Sequence, residues 1–245
     1  MRVLTWNLLA HEWIKPHYFK HISPTLLFNR KGRLGLIVSR LMYLDPDVMG
    51  LQEVMPAEYN ALQRLFGHTH YITRLYNIMW GKTPSKSGNV ILIRKTLCKT
   101  IDQNFAQWPF GHACIFVPKH SNTPVLVVNV HLDNKDIRRR YAQVGTLQPM
   151  LEAASHVIWL GDFNHHYRSN TRLYHLVPNF KIHNTAISYF VDRECCIDNI
   201  LTKNFIANEA TVRAPVILPT EEKTFQYYGS DHLPIQAELT LQTTD

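Results

Sequence analysis

Short apolar runs of strand length punctuate the chain, and several of them end in a residue able to bind a metal or move a proton. Val3-Leu4-Thr5-Trp6-Asn7, Val48-Met49-Gly50-Leu51-Gln52-Glu53, Val127-Val128-Asn129-Val130-His131 and Val157-Ile158-Trp159-Leu160-Gly161-Asp162-Phe163-Asn164 all have this form. A strand buried on both faces reads as such a run rather than as an alternation. Further strand-like runs fall at 70–75, 90–94, 113–117, 196–201 and 235–241. Helical spacings lie between them. Leu34, Val38, Leu41 and Met42, with Ile37 and Leu44, share one face, and Asp45-Pro46-Asp47 stops that helix. Ala61, Leu62, Leu65 and Phe66 predict a second helix beginning near Pro56. Tyr141, Val144, Leu147 and Leu151 predict a third, which Pro149 should kink or end early.

Strands outnumber helices, and the connections include both hairpin and crossover lengths. The pattern predicts an α/β fold: a mixed sheet, best arranged as two sheets packed face to face with helices outside. No repeat, low-complexity tract or linker breaks the chain, so one domain over residues 1–245 is expected. Where several buried strands lie side by side, their polar ends meet along one edge. That edge would gather Asn7, Glu53, His131, Asp162 and Asn164, joined by Asp231 and His232 from the loop Gly229-Ser230-Asp231-His232.

The bulk numbers narrow the classes of function. No apolar stretch approaches roughly 18 residues, so membrane insertion is not expected. The first strand-like run begins at Arg2, which leaves no room for a signal peptide and points to a cytoplasmic or nuclear location. The four cysteines, Cys98, Cys114, Cys195 and Cys196, form no C-x-x-C spacing, which argues against a disulfide framework or structural zinc. A formal charge of +7 attracts polyanions, so nucleic acid is the leading partner. No protein partner is readable.

Taken singly, each candidate has a bland alternative. Glu53 can bind a hard cation such as magnesium or pair with a lysine or arginine. Asn7 can offer its carbonyl oxygen to a metal, orient a neighbouring carboxylate, or start a turn. Asp162 and Asn164 would point the same way if the chain stays extended, Asp162 aligning water and Asn164 donating to a phosphate oxygen. His131 can neutralise developing charge or be a satisfied core histidine. His232 needs an acid to orient it, and Asp198 is the candidate, as in the acid–histidine half of a triad with water as nucleophile. His165-His166 invites a weaker zinc reading.

Together and in this order, TWNLLA, DPDVMGLQEV, SGNVILIR, VVNVHLD, WLGDFN, CIDNIL and YGSDHLPI resemble the endonuclease/exonuclease/phosphatase superfamily, the fold of deoxyribonuclease I. The resemblance implies a four-layer α/β/β/α sandwich of two packed mixed sheets, with the site at one end. It implies Mg2+ as cofactor, with Mn2+ as a possible substitute, held by Glu53 with Asn7 beside it. Asp162, Asn164 and His232 could hold a second ion, with Asp231 adjacent to the metal and His131, Asn164 and His232 contacting phosphate. Lys86 and Asn89, beside Lys82 in the SGNVIL loop, and Arg138 in the Arg138-Arg139-Arg140 run are candidate substrate contacts. Trp80, Trp108, Phe110 and Tyr227 could stack on bases. The N-terminal third looks like the deadenylase, Nocturnin, Angel and 2′-phosphodiesterase branch. Departures from it include a short interval after Asp162, Asn199 following Asp198, and His165-His166-Tyr167 after GDFN.

The expected activity is hydrolysis of nucleic-acid phosphodiesters, at ends of single-stranded RNA or DNA. A phosphomonoesterase acting on a nucleotide 2′-phosphate, inositol phosphate or phospholipid is the alternative. An inactive nucleic-acid-binding module is the third reading.

Overall fold

Two six- and seven-stranded sheets carry the architecture of the computed structural model, which describes residues 1–80, 83–166, 171–184, 186–191, 194–207 and 216–242. In chain order the elements are β1 (Arg2–Asn7), α1 (Pro24–Leu27), α2 (Arg30–Leu44), β2 (Val48–Val54), α3 (Pro56–Phe66), β3 (His70–Ile72), β4 (Tyr76–Trp80), β5 (Thr83–Arg94), β6 (Cys98–Trp108) and β7 (Gly111–Pro118). They continue with β8 (Val125–His131), α4 (Ile137–Ala153), β9 (His156–Asp162), β10 (Lys181–Ile182), β11 (Asp198–Lys203), β12 (Phe205–Ala207), α5 (Glu221–Tyr228) and β13 (Ile235–Leu241). The first sheet runs β12-β13-β1-β2-β5-β3, with β4 also on β5; the second runs β10-β11-β9-β8-β7-β6.

Each sheet has one parallel pair at its centre, β1 with β2 and β8 with β9, and the other pairs are antiparallel. This is the expected mixed architecture. Three apolar clusters explain the layering. Val3, Val48, Ile91, Phe116, Val127, Ile158, Leu160 and Ile235 fill the space between the sheets. Leu4, Trp6, Met49 and Leu51 face outward onto Ile37, Leu41, Leu62 and Phe225 from α2, α3 and α5. Leu126, Val128, Val157 and Trp159 face Val144, Leu147 and Leu151 of α4. Every central strand is therefore apolar on both faces, which is why it reads as a continuous apolar run.

Of the two outcomes expected at Pro149, the early end of the helix does not occur. α4 passes through Pro149 and ends at Ala153. Proline there removes the hydrogen bond to the carbonyl of Gly145, but both residues lie on the exposed face, where water can take that carbonyl. Full burial of Val144, Leu147 and Leu151 outweighs the loss. β4, β6 and α5 were not legible: β6 is an edge strand with mostly polar, exposed positions, and α5 is only eight residues long. Among the described residues, no helix is long and apolar enough to cross a membrane.

Candidate active site

The carboxyl ends of the two parallel pairs meet at one end of the sandwich. Ligand sites of α/β sheets form at such ends because side chains there leave the packed region together. On the second sheet, Asp198, Asp162 and His131 occupy one rung across β11, β9 and β8. On the first, Asn7 lies opposite Gln52, one residue before Glu53. Asn7 bridges the sheets: its Nδ2 donates to Glu53 Oε1 and to Asp162 Oδ2, both at 3.0 Å. Its Oδ1 accepts from the Leu9 amide at 3.0 Å. In this arrangement Asn7 orients the two carboxylates.

Local backbone conformation aims these groups. Gln52 and Glu53 are neighbours, and regular pleating would send them to opposite faces. The β2–β5 register shifts between Leu51 and Val54, and Glu53 takes φ 55°. Its carboxylate then meets Asn7 Nδ2 and, at 2.7 Å, the Ala10 amide. Asn164 also has φ 49°, so the chain is not extended beyond Asp162 as expected. Its amide nitrogen donates to Asp162 Oδ1 at 2.8 Å and its Nδ2 to the Leu132 carbonyl at 3.0 Å, so a turn places Asp162 and Asn164 in the same cavity. Left-handed non-glycine residues cluster at functional sites because surrounding contacts must hold them there.

Gly161 is required for closeness: a Cβ on it would lie 2.2 Å from the Val130 carbonyl oxygen. Gly229, at φ 77°, ends α5 and releases the chain into Ser230-Asp231-His232. That loop is tied down by Ser230 Oγ donating to the Asn7 carbonyl (2.7 Å) and Trp6 Nε1 donating to the His232 carbonyl (2.9 Å).

His232 Nδ1 lies 2.8 Å from Asp198 Oδ2, and its Nε2 lies 3.8 Å from Asp162 Oδ2. Burial alone would lower its pKa, but Asp198 and Asp231 hold it well above the usual histidine value. The neighbouring carboxylates thus favour the protonated imidazole, whose ring is fixed by a fully buried acid. His131 Nε2 faces the same carboxylates, 3.5 Å from Asp162 and 4.0 Å from Glu53. Burial pushes Asp231 up to about 6, the Glu53 charge adding to it while His232 and Arg33 oppose.

The donor set suits a divalent cation. Glu53, Asp162, Asp198 and Asp231 bring more negative charge than the nearby imidazoles offset, and a buried excess of carboxylate is costly without a counter-ion. Ligating atoms of Asp162, Asp198 and His232 all lie within 4.8 Å of one another, the one such cluster found among the described residues. Glu53 and Asp162, whose carboxylates Asn7 draws together and which both line the cavity, offer oxygens that a hard ion could take.

Above these groups is a cavity of about 470 Å³, walled by Trp13, Tyr18 and Tyr189, with Lys15 and Lys135 at its rim. Sequence reading missed this wall. Its signal was present: in Trp13-Ile14-Lys15-Pro16-His17-Tyr18-Phe19-Lys20-His21, basic and aromatic residues interleave as in single-strand binders. Other expectations are relocated. Asn89 is fully buried, donates to the Phe110 carbonyl and is not among the residues that line the cavity. Asn129 is also internal, accepting from Gln52 and donating to Leu51 and Val90 to tie the sheets together. Lys86 is exposed on β5 and is not among the residues that line the cavity, and Arg138 is 91% exposed at the start of α4. Arg140 instead ties Asp133 in place through its carbonyl. Phe110 is buried against Trp108, and Tyr227 lies under Arg40; neither reaches the cavity. Lys82, Tyr167 and the Trp80 side chain lie outside the described residues.

Two packed mixed sheets with catalytic-type carboxylates and histidines at one end define a phosphoesterase-like α/β sandwich. Residues 4–232 match the model of the Endonuclease/Exonuclease/phosphatase family, and the chain belongs to that family, whose members are phosphoesterase hydrolases. Solved structures agree in fold. ANGEL2, described as a 2′,3′-cyclic phosphatase and bound to adenosine-2′,3′-vanadate, matches with TM-score 0.77 and 16% identity over 99% of this chain and 96% of its own. The human Nocturnin catalytic domain with bound sulfate matches with TM-score 0.69 and 19% identity, over 98% and 94%. D. rerio TDP2 with a single-strand DNA product matches with TM-score 0.67 and 15% identity, over 98% of each chain. No curated protein sequence matches significantly.

Proposed function

We propose that this protein is a magnesium-dependent phosphodiesterase that hydrolyses the ends of single-stranded nucleic acid. The carrying observation is the convergence of Glu53, Asp162, His131 and His232 beneath a cavity rimmed by aromatic and lysine side chains. Glu53 and Asp162 would hold the ion, with Asn7 behind them. Bound there, a divalent ion would neutralise phosphate charge. Asp162 accepts a proton from water, whose oxygen bonds to phosphorus as the opposite P–O ester bond breaks; the leaving oxygen departs with the bonding pair and takes a proton from solvent. His232, oriented by Asp198, and His131 donate to the non-bridging oxygens as negative charge builds. The second hydrogen of the Asn164 amide is available for the same task.

The +7 charge and the relatives that handle nucleotide or single-strand DNA ligands support a nucleic-acid substrate. The cavity volume also suits one nucleotide-sized phosphate, which favours phosphomonoesterase action as the second reading. A magnesium-containing panel tests both: poly(A), mixed RNA, 2′,5′-linked adenylate, single- and double-stranded DNA, 5′-tyrosyl DNA, nucleotide 2′-phosphates and inositol phosphates. Asp162→Ala should lose about 10²–10⁴-fold in turnover while staying folded. A polymer substrate should show steep salt inhibition and a small phosphate little. Wild-type turnover by both Asp162→Ala and Glu53→Ala would refute the site.

A further inference from the structure

We propose that His17, Tyr18, Lys20, His21 and Glu221 form a second nucleotide subsite, which binds the ribonucleotide next to the scissile phosphate. It rests on the nucleic-acid reading above and names how the strand continues beyond the catalytic cavity. These five residues line a separate cavity of about 440 Å³. Tyr18 lines both this cavity and the catalytic one, and it is 50% exposed. A strand leaving the carboxylate cluster can therefore cross Tyr18 into the neighbouring cavity while keeping contact with the protein.

The segment between the cavities is built to present its side chains. Ile14, Phe19 and Ile22 are buried, whereas Lys15, His17, Tyr18, Lys20 and His21 all face solvent. Successive turns, Tyr18 to Lys15, Phe19 to Pro16 and Ile22 to Phe19, hold the backbone. Phe19 packs edge-on against Phe225 of α5 at 6.5 Å, the helix that also carries Glu221.

Each group matches part of a nucleotide. The Tyr18 ring, backed by His17 at 4.1 Å, offers a face for base stacking. Lys20 and the imidazoles can contact the backbone phosphate, with Lys15 on the catalytic side of Tyr18. The Glu221 carboxylate is acceptor-only, so it suits a sugar hydroxyl and not a phosphate. A 2′-hydroxyl contact is what separates RNA from DNA at such a position.

Binding in the Asp162→Ala background tests the subsite without turnover. Fluorescence anisotropy with a labelled single-stranded pentaribonucleotide should show Lys20→Ala/His21→Ala weakening binding by about tenfold. The dependence of log affinity on log salt should flatten by about 0.7 for each phosphate no longer neutralised. Glu221→Gln should narrow the difference in affinity between the ribo- and deoxyribo-pentamers. In the active protein, the double variant should lose at least about tenfold more kcat/KM on the pentamer than on bis(4-nitrophenyl) phosphate. Unchanged affinity and salt slope, or equal losses on both substrates, overturn the subsite. RNA binding that depends on Lys20 and His21 in a protein that hydrolyses no phosphodiester would sink the catalytic reading and support the subsite.

Discussion

Arg33 gives the most exacting test of how this site is held. It is 6% exposed, and the hydrogen bonds of its guanidinium go to backbone carbonyls. Nε donates to Gly229 at 2.7 Å, and Nη2 donates to Leu8 at 2.9 Å and Leu9 at 2.6 Å. Leu8 and Leu9 follow Asn7, and Gly229 precedes Ser230, Asp231 and His232. One side chain thus pins together the two segments that carry the carboxylate-orienting amide of Asn7 and the imidazole of His232. Hydrogen bonds to a charged donor contribute about 1.5–3 kcal/mol each, and an abandoned buried carbonyl costs about 1–3 kcal/mol. Arg33→Ala should therefore destabilise by about 3–5 kcal/mol, a large share of a typical total of about 5–15 kcal/mol. Arg33→Lys is the cleaner probe: a compact ammonium keeps charge but cannot span Gly229 and the Leu8–Leu9 pair as a planar fork does. Losing one bond predicts a loss of about 1.5–3 kcal/mol and a Tm lower by about 3–12 °C. Because a displacement of about 1 Å at a reacting group can cost 10²-fold, kcat should fall about 10–100-fold with a smaller change in KM. Urea denaturation and steady-state kinetics read both effects. Wild-type stability and wild-type kcat in Arg33→Lys would refute the pinning role.

The other predictions concern single contacts. Asp198→Asn should keep the fold, as judged by circular dichroism, yet lower kcat by about 10²–10⁴-fold because His232 loses the acid that holds its proton and orientation. Gly161→Ala forces a Cβ 2.2 Å from the Val130 carbonyl oxygen and should destabilise by more than about 3 kcal/mol, seen as a collapse in Tm or soluble yield. His112 is fully buried, and burial lowers its pKa to about 3. The unfolded chain takes up a proton below pH 6.5 that the folded chain refuses, so stability falls as pH drops from 6.5 towards 3 and is unaffected above that window. At pH 5.5 the loss from this residue is about 1.4 kcal/mol, and His112→Gln should remove that part of the difference between urea curves at pH 7.5 and 5.5. An identical pH dependence in the variant would count against it.

Much of the fold was legible because it depends on local signals. Central strands packed on both faces must be apolar throughout, so β1, β2, β8 and β9 appear as runs, and their polar last residues mark where each strand leaves the core. Asp198 was legible for the same reason, at the start of a buried run. Asn89 and Asn129 have the same look, but they are fully buried and donate to carbonyls inside the sandwich. No periodicity separates a polar group between sheets from one at their rim.

The sequence by itself determined which residues stand at strand ends and which chemistry they can perform. Tertiary structure decided how they are aimed: the irregular step at Glu53, the left-handed turn at Asn164, and the cross-sheet hydrogen bonds of Asn7. It also decided the cavity wall at Trp13, Tyr18 and Tyr189 and the pin at Arg33, whose partners at Leu8, Leu9 and Gly229 are backbone carbonyls remote in the chain. Hydrophobic patterning is a property of neighbouring residues and can be read in order. A carbonyl looks the same in every residue, so a contact that depends on it becomes visible only when folding brings distant segments together.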